Sequence, residues 1–401
     1  MSNCGQIKPA RICFVVAVPF TANAFLSQHI LALARKHSVS IALNGAAQDL
    51  RAELRQTPIH RFCIVRKIAP FRDLIALISL WNLFRRERFD VIHSMSPKAG
   101  LLASVAGFLA GVPVRIHWFT GQVWATKRGL MRILLKTMDK ITSRCATDLL
   151  SDSHSQAKFL TTEKVTSAGK IQVLASGSTC GVDILRFHPD LKTRNKIRAA
   201  HGIPIEATIA LFVGRMQPEK GIWELCAAFL AAAQSCPDLH LMLVGPDEAG
   251  MKKYIQAELA EVSKNLHWVG LTDRPEDYMA ASDFLVIPSY REGFGAVVIE
   301  AAACGIPSIG TNIYGLSDAI IDGETGSLIP VGSAKALEAA ILRLSVDVVR
   351  RRKMGECALT RVLKYFRQDM LVEALLKYYE RIHDANKTLM DRKRAGRKTL
   401  V

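Results

Sequence analysis

The chain has 401 residues, with 53 Lys and Arg against 36 Asp and Glu, a formal net charge of +17. Hydrophobic residues at 49% and charged residues at 22% describe a globular protein and exclude disordered, collagen-like and disulfide-scaffold chains. The length exceeds what one hydrophobic core fills, so two domains are expected. They are charged unequally: residues 1–190 hold 25 basic against 11 acidic residues, net +14, which leaves net +3 for 191–401.

The N-terminal apolar stretch is too short and too β-branched for a signal peptide. Short apolar runs then alternate with helical patterns, the signature of βαβ units on a parallel sheet. In the first half, strands are expected at 12–18, 39–43, 90–93, 114–117 and 147–151. The longest apolar run, 99–114, is broken by Gly100, Gly107, Gly111 and Pro113 and falls short of the roughly 20 residues of a membrane span. Two segments, 61–89 and 127–144, interleave basic and apolar residues. On a helix, Leu130, Ile133, Leu134 and Met138 share a face apart from Lys127, Arg128, Arg132, Lys136 and Lys140. That pattern fits a surface resting on anionic lipid or a core-facing stripe with a solvated basic back. The nine cysteines are scattered without a Cys-x-x-Cys pair or zinc spacing, as in a reduced cytoplasmic protein.

The segment 181–202 carries turn residues and charge and reads as an interdomain connector. Strands are expected again at 208–213, 240–244, 266–268, 284–288 and 308–311, so the chain reads as two Rossmann-like domains in tandem. The boundaries are 1–190, 191–370 and a C-terminal piece, 371–401, whose helix returns toward the first domain and ends in a frayed basic tail. Ligands of open parallel sheets sit beyond the carboxyl ends of the strands, so two such sheets facing each other define one cleft.

Two stretches of the second half carry chemistry. In LFVGRMQPEKG, 211–221, Arg215 and Lys220 follow a strand end where two cations neutralise a diphosphate, Arg by a forked contact and Lys as a point charge. In IPSYREGFGAVVIEAAACGIPSIGT, 287–311, a loop with Glu292 and a Gly293-Phe294-Gly295 turn leads into a helix. The helix N-terminus and the close backbone approach allowed by glycine favour an anion. Glutamates there suit sugar hydroxyls, and Glu292 and Glu300 stand eight positions apart, about 12 Å along a helix. Taken singly, each of these residues is equally an ordinary surface charge.

Taken together, VGRMQPEKG, the Glu, seven residues, Glu pattern of 292–300 and IDGETGSLIP at 321–330 resemble the donor domain of family 4 glycosyltransferases. SPKAGLLASVAGFLAGVPVRIHWFTGQVWATKRG, 96–129, and SGSTCGVDILRFHP, 176–189, resemble the subgroup that builds bacterial capsule, O-antigen and lipid-linked oligosaccharides. The resemblance implies an α/β GT-B fold of two doubly wound domains and a retaining, metal-independent enzyme using a nucleotide diphosphate sugar. A UDP-linked N-acetylhexosamine is the expected donor, although neither base nor sugar is written in these residues. It implies that Arg215 and Lys220 hold the diphosphate, Glu292 contacts the transferred sugar, Glu300 holds the ribose, and the backbone of Gly293, Phe294 and Gly295 meets sugar and phosphate. His117, at a strand end, matches a histidine facing the donor sugar, so His117 and Glu292 are the expected catalytic pair.

No cofactor is expected, and no Asp-x-Asp is present to hold a metal against the diphosphate. The first βα turn, 16–30, lacks the glycine-rich loop of many relatives; Thr21, Asn23 and Phe25 are its acceptor-side candidates. A polyprenyl-diphosphate-linked acceptor and an anionic membrane surface make the basic first half sensible and place the protein peripherally on the inner face of the cytoplasmic membrane. The alternatives are a nucleotide-sugar epimerase or a polysaccharide synthase of the same fold, and a nucleic-acid-binding protein, disfavoured because no zinc-finger, RNP or KH signature appears.

Overall fold

The structure, a computed structural model, describes residues 9–65 and 68–398. The extreme N-terminus, the basic pair Arg66 and Lys67 and residues 399–401 lie outside the described residues. The first half forms a seven-stranded sheet from β1 (Arg11–Val16), β2 (Ser38–Leu43), β3 (Ile59–Arg61), β4 (Val91–Met95), β5 (Val114–Phe119), β6 (Asp148–Ser151) and β7 (Ile171–Val173), ordered β3-β2-β1-β4-β5-β6-β7. The second half forms a six-stranded sheet from β8 (Thr208–Val213), β9 (Leu239–Val244), β10 (Leu266–Gly270), β11 (Phe284–Ile287), β12 (Ser308–Thr311) and β13 (Gly326–Ile329), ordered β10-β9-β8-β11-β12-β13. Every pairing is parallel. Such sheets carry helices on both faces, which is why the central strands read as unbroken apolar runs.

The three strands that the periodicity does not announce, β3, β7 and β13, are all edges of three or four residues. Exposed on one side, they need no continuous apolar run. β13 is held close to its neighbour because Gly326 has no side chain: a Cβ there would lie 2.1 Å from the Ser308 carbonyl oxygen.

Strand order reverses between β1 and β4 in one sheet and between β8 and β11 in the other. These are the two crevices where connections diverge and ligands bind.

The segment 181–202 is not a solvated connector. Val182 and Phe187 are buried in the second domain's core, and the helix Leu191–Ala200 is capped by Asp190, which accepts from the Thr193 N–H at 3.0 Å. Its Arg198 is fully buried, donating to the carbonyls of Ala281, Pro204, Ile205 and Ala207 and to Asp283 at 2.7 Å. Charge in the segment does not announce this; buried partners make Arg198 internal.

The chain crosses between the sheets before Val182 and returns at Phe366–Gln368, and the two crossings pair. Val182 N–H donates to Phe366 O at 2.8 Å and Gln368 N–H donates to Val182 O at 2.9 Å. The helix Gln368–Lys398, which continues through the segment expected to fray, sends Leu371, Leu375, Tyr378, Tyr379 and Ile382 into the first domain's core.

Candidate functional site

The second domain's crevice gathers the charged residues. β8 ends at Val213 and β11 at Ile287, adjacent strands whose following loops carry Arg215 to Lys220 and Ser289 to Gly295. Lys220 Nζ lies 2.5 Å from Glu292 Oε1, which also accepts from Ser289 Oγ at 2.8 Å. Both charged side chains are mostly buried, so the pair is fixed rather than solvated. Arg215 stands beside it, paired with Glu248 at 3.2 Å and with Glu219 at 3.6 Å. Burial works to raise the Glu219 carboxyl, but Arg291, together with Arg215 and Lys220, outweighs it and holds that group below its ordinary value. The cluster places an orienting carboxylate and two cations at one strand edge, the equipment for gripping a diphosphate and a hydroxylated group beside it.

The Gly293-Phe294-Gly295 turn delivers the chain into the helix Ala296–Ala303. Gly295 caps it with φ of +83°, a left-handed conformation in which a Cβ would also meet Leu316 at 2.5 Å. Phe294 supplies backbone only: its ring is buried against Phe366 at 5.3 Å. The helix begins at Ala296, so the helical rise applied to Glu292 and Glu300 overstates their helical separation; Glu292 lies in the loop before the first turn. Glu300 sits half-buried in the helix, where desolvation pushes its carboxyl up to about 7, Arg186 opposing and Glu276 adding.

His117 does not join this cluster. β5 continues two residues past it to Phe119, and the side chain turns into the first domain, 1% exposed. Its ring lies against Gly100, where a Cβ would come within 2.1 Å, and its Nδ1 shares a hydrogen bond with Ser94 Oγ at 3.0 Å. Burial drives its pKa down to about 3. Alternation along β5 sets His117 on the sheet face covered by the helix Pro97–Ala110, against Gly100.

What the first domain presents to the Glu292 loop is the turn after β5 and the end of β6. Arg291 Nη1 donates to Gly121 O at 2.7 Å, and Ser153 Oγ donates to Gly293 O at 2.9 Å. A Cβ on Gly293 would lie 2.3 Å from Asp152 Oδ2 and 2.9 Å from Gly121 N. Asp152 accepts from Thr179 Oγ1 at 2.7 Å, and burial, with a contribution from Glu292, pushes its carboxyl up to about 7. Tyr314 stacks on Phe159 at 4.5 Å, and the Gly315 N–H donates to Ser155 Oγ at 2.8 Å. Gly121, Asp152, Ser153 and Arg291 are not among the site residues expected from the sequence, although Gly121 and Arg291 lie within its quoted motifs; Asp152 and Ser153, at the end of β6, meet the site across the cleft.

The acceptor-side trio lies in one helical turn after β1. Thr21 ends a short helix, Pro19–Thr21, and Asn23 and Phe25 lie in a π-helical turn, Ala22–Leu26. Asn23 clasps the chain at Asp49 O and Arg51 N, each at 2.9 Å, and Phe25 packs edge-on against Phe20 at 6.2 Å. Two of the three therefore hold local structure.

The model of the glycosyl transferases group 1 matches residues 193–361, and that of the glycosyl transferase 4-like domain matches residues 23–177. The capsular polysaccharide biosynthesis glycosyltransferase CapM of Staphylococcus aureus is 31% identical over 323 residues, 80% of this chain and 84% of that protein. The chain belongs to the family 4 glycosyltransferases. It is thus a glycosyltransferase of a retaining family. The UDP-Gal:alpha-D-GlcNAc-diphosphoundecaprenol alpha-1,3-galactosyltransferase of Escherichia coli is 27% identical over 299 residues, 73% of this chain and 76% of that one. The crystal structure of Anabaena HepE in complex with UDP and glucose superposes with a TM-score of 0.79 at 18% identity, over 92% of this chain and 99% of that one, which establishes the GT-B fold. WaaG, a glycosyltransferase involved in lipopolysaccharide biosynthesis, superposes at 0.71 with 18% identity over 90% of this chain and 98% of that one.

Proposed function

We propose that this family 4 glycosyltransferase moves a sugar from a UDP-sugar to a polyprenyl-diphosphate-linked saccharide during surface polysaccharide or glycan assembly. The observation that carries the donor half is the Lys220–Glu292 pair, with Arg215 beside it, in the crevice between β8 and β11. Lys220 and Arg215 neutralise the diphosphate as it departs, aided by the N-terminus of the helix Ala296–Ala303, while Glu292 orients the sugar and Glu300 the ribose. The bond from the anomeric carbon to the diphosphate oxygen breaks. The acceptor hydroxyl then bonds that carbon from the same face and gives its proton to the departing diphosphate. Fixed charges suffice for this, so no metal is assigned to the step. His117, buried in the first domain, receives no role in it.

The acceptor half is supported by the names of relatives: one for capsule, one for a diphosphoundecaprenol-linked substrate. A lipid-borne acceptor places the enzyme peripherally at the cytoplasmic face of an anionic membrane, and no described helix is long and apolar enough to cross one. We place the domain exchange at the paired crossings of Val182 and Phe366–Gln368 rather than at 190. The test is a panel of UDP-N-acetylhexosamines, UDP-glucose and UDP-galactose, scored by thermal shift and by transfer to a GlcNAc-diphosphopolyprenol. Binding confined to non-uridine nucleotides, or donor turnover equally fast onto free polysaccharide, overturns the reading.

A further inference from the structure

Asp152 follows β6 directly and is held from three sides. Its N–H donates to Gln156 Oε1 at 2.9 Å, its carbonyl accepts from the Ser178 N–H at 2.7 Å, and Oδ1 accepts from Thr179 Oγ1 at 2.7 Å. The Ser178 donor is delivered by unusual backbone. Gly177 has φ of +103° and Ser178 itself φ of +72°, a value few serines adopt. A Cβ on Gly177 would lie 2.9 Å from the Asp152 carbonyl oxygen. Gln156 is fully buried and also donates to Gln122 Oε1 at 3.2 Å, so one side chain fixes Asp152 and the turn after β5 together. Backbone strain of this kind persists where the surroundings impose it, and it gathers at functional sites.

The fourth polar group, Oδ2, faces the second domain. It is the atom that a Cβ on Gly293 would approach to 2.3 Å, with Gly121 N at 2.9 Å on the same side, so only glycine lets the Glu292 loop seat here. The Gly177 turn meets the next residue, since a Cβ there would lie 3.2 Å from the Phe294 ring. No cation acts on the carboxyl. Burial and Glu292 favour its neutral form, with the Thr179 hydroxyl and the Trp118 N–H opposing. Because Oδ1 accepts from Thr179, the proton belongs on Oδ2. Asp139, also buried in this domain and also pushed up, to about 6, differs in having its Oδ2 occupied by Trp124 Nε1 at 2.7 Å.

We propose that Asp152 is a positioning residue for sugar transfer: its Oδ2 is the stop on which the Gly293 turn seats, and this sets where the Glu292 carboxylate stands in the cleft. The inference rests on the reading that Glu292 orients the transferred sugar, and it assigns to the first domain the aiming of that group. A neutral Asp152 turns an O–H toward the loop. An ionised one sets two carboxylates against each other across the seam and drives the loop back. The other titratable groups around it are Lys220, bound to Glu292; Arg291, bound to Gly121 O; Cys180; and His29, bonded to Thr179 O.

The test is the initial rate of transfer across a pH series, with the UDP-sugar turned over fastest in the donor panel, alongside calorimetric binding of UDP alone. Wild-type kcat/KM is expected to fall about tenfold per pH unit above about pH 7. Asp152→Ala removes the stop and should lower kcat at least ~10-fold, while UDP, gripped by Arg215 and Lys220, keeps its Kd within about twofold. Asp152→Asn retains the acceptor for Thr179 and an N–H in place of the O–H, without charge at any pH. It should regain most of the lost rate and be free of the alkaline fall. Asp139→Asn should keep that fall. Thermal melting shows that the variants fold, and the comparison of Asp152→Asn with wild type stands even where Asp152→Ala does not fold. An alkaline fall that persists in Asp152→Asn, or one that Asp139→Asn also abolishes, overturns the proposal, as does a Kd for UDP weakened as much as kcat in Asp152→Ala. Glu292→Gln, assayed in parallel, tells the two failures apart: a wild-type rate there removes the underlying reading and the proposal with it.

Discussion

Glu292 and Lys220 come from loops 72 residues apart and meet at 2.5 Å, so each holds the other in position for whatever enters the crevice. Replacing Glu292 by Gln keeps the shape and removes the charge. Transfer is expected to fall at least ~100-fold in kcat/KM, and a steady-state rate near wild type removes Glu292 from the mechanism. The buried ionisable groups set opposite pH trends. His29, His93 and His117 are pushed down by burial to about 4, 3 and 3. Their unfolded forms take up protons near 6.5, so the stability they contribute above that pH is lost as pH falls toward 4. Asp152 and Glu300 run the other way. Their folded forms hold a proton up to about pH 7, so each destabilises the fold increasingly as pH rises from about 4 to 7. Asp152→Asn, which can still accept from Thr179, should therefore raise stability at pH 8, on the order of 2 kcal/mol, and change little near pH 4. Urea denaturation at the two values checks this; equal effects at both would show that Asp152 is not held protonated.

Among the elements, the central strands are those whose sequence and environment agree. β8 and β12 form over the residues expected of them, 208–213 and 308–311, because burial on both faces demands apolar runs that end where the sheet ends. The edge strands β3, β7 and β13 stay silent in sequence because each is only three or four residues long and mostly half-buried. The helix Leu191–Ala200 is the sharpest departure, a charged segment anchored through Arg198. Arg198→Ala removes a buried donor from the carbonyls of Ile205 and Ala207, and the second donor from Ala281 O, Pro204 O and Asp283 Oδ2, which keep Arg194, the Ala207 N–H and the Ile209 N–H, and should cost about 3–5 kcal/mol in urea denaturation. The neighbouring Arg194, which also reaches Asp283 at 2.8 Å but is partly exposed, should cost clearly less. Equal losses would mean that burial is not what gives Arg198 its weight.

At the scale of the molecule, the returning helix Gln368–Lys398 binds the first domain to the end of the second. Five of its side chains enter the first core, and at roughly 1.5–3 kcal/mol for each buried apolar side chain their contribution approaches the whole stability of a domain. A chain ending at Arg367 is expected to lose the melting transition of the first domain while keeping that of the second. Two unchanged transitions would show that the helix is dispensable. The cleft is lined from both sides: Arg291 reaches Gly121 and Ser153 reaches Gly293 across it. The Glu292 loop thus lies under a lip of the first domain.

The amino-acid sequence determined two parallel-sheet domains, the charged loops with Arg215, Lys220 and Glu292 that follow two of their strands, and the uneven charge. Each is written locally, in runs and spacings that survive without partners. Tertiary structure alone decided which residues face those loops. His117 is packed into the first domain against Gly100 and Ser94, while Asp152 and Gly121 reach the Glu292 loop from another sheet, a relation no local pattern encodes. It also settled the 127–144 segment, whose amphipathic pattern fits either orientation. The Trp124–Asp139 bond and the Glu163 pairs draw the polar side inward, and Leu130, Ile133 and Leu134 are left at the surface.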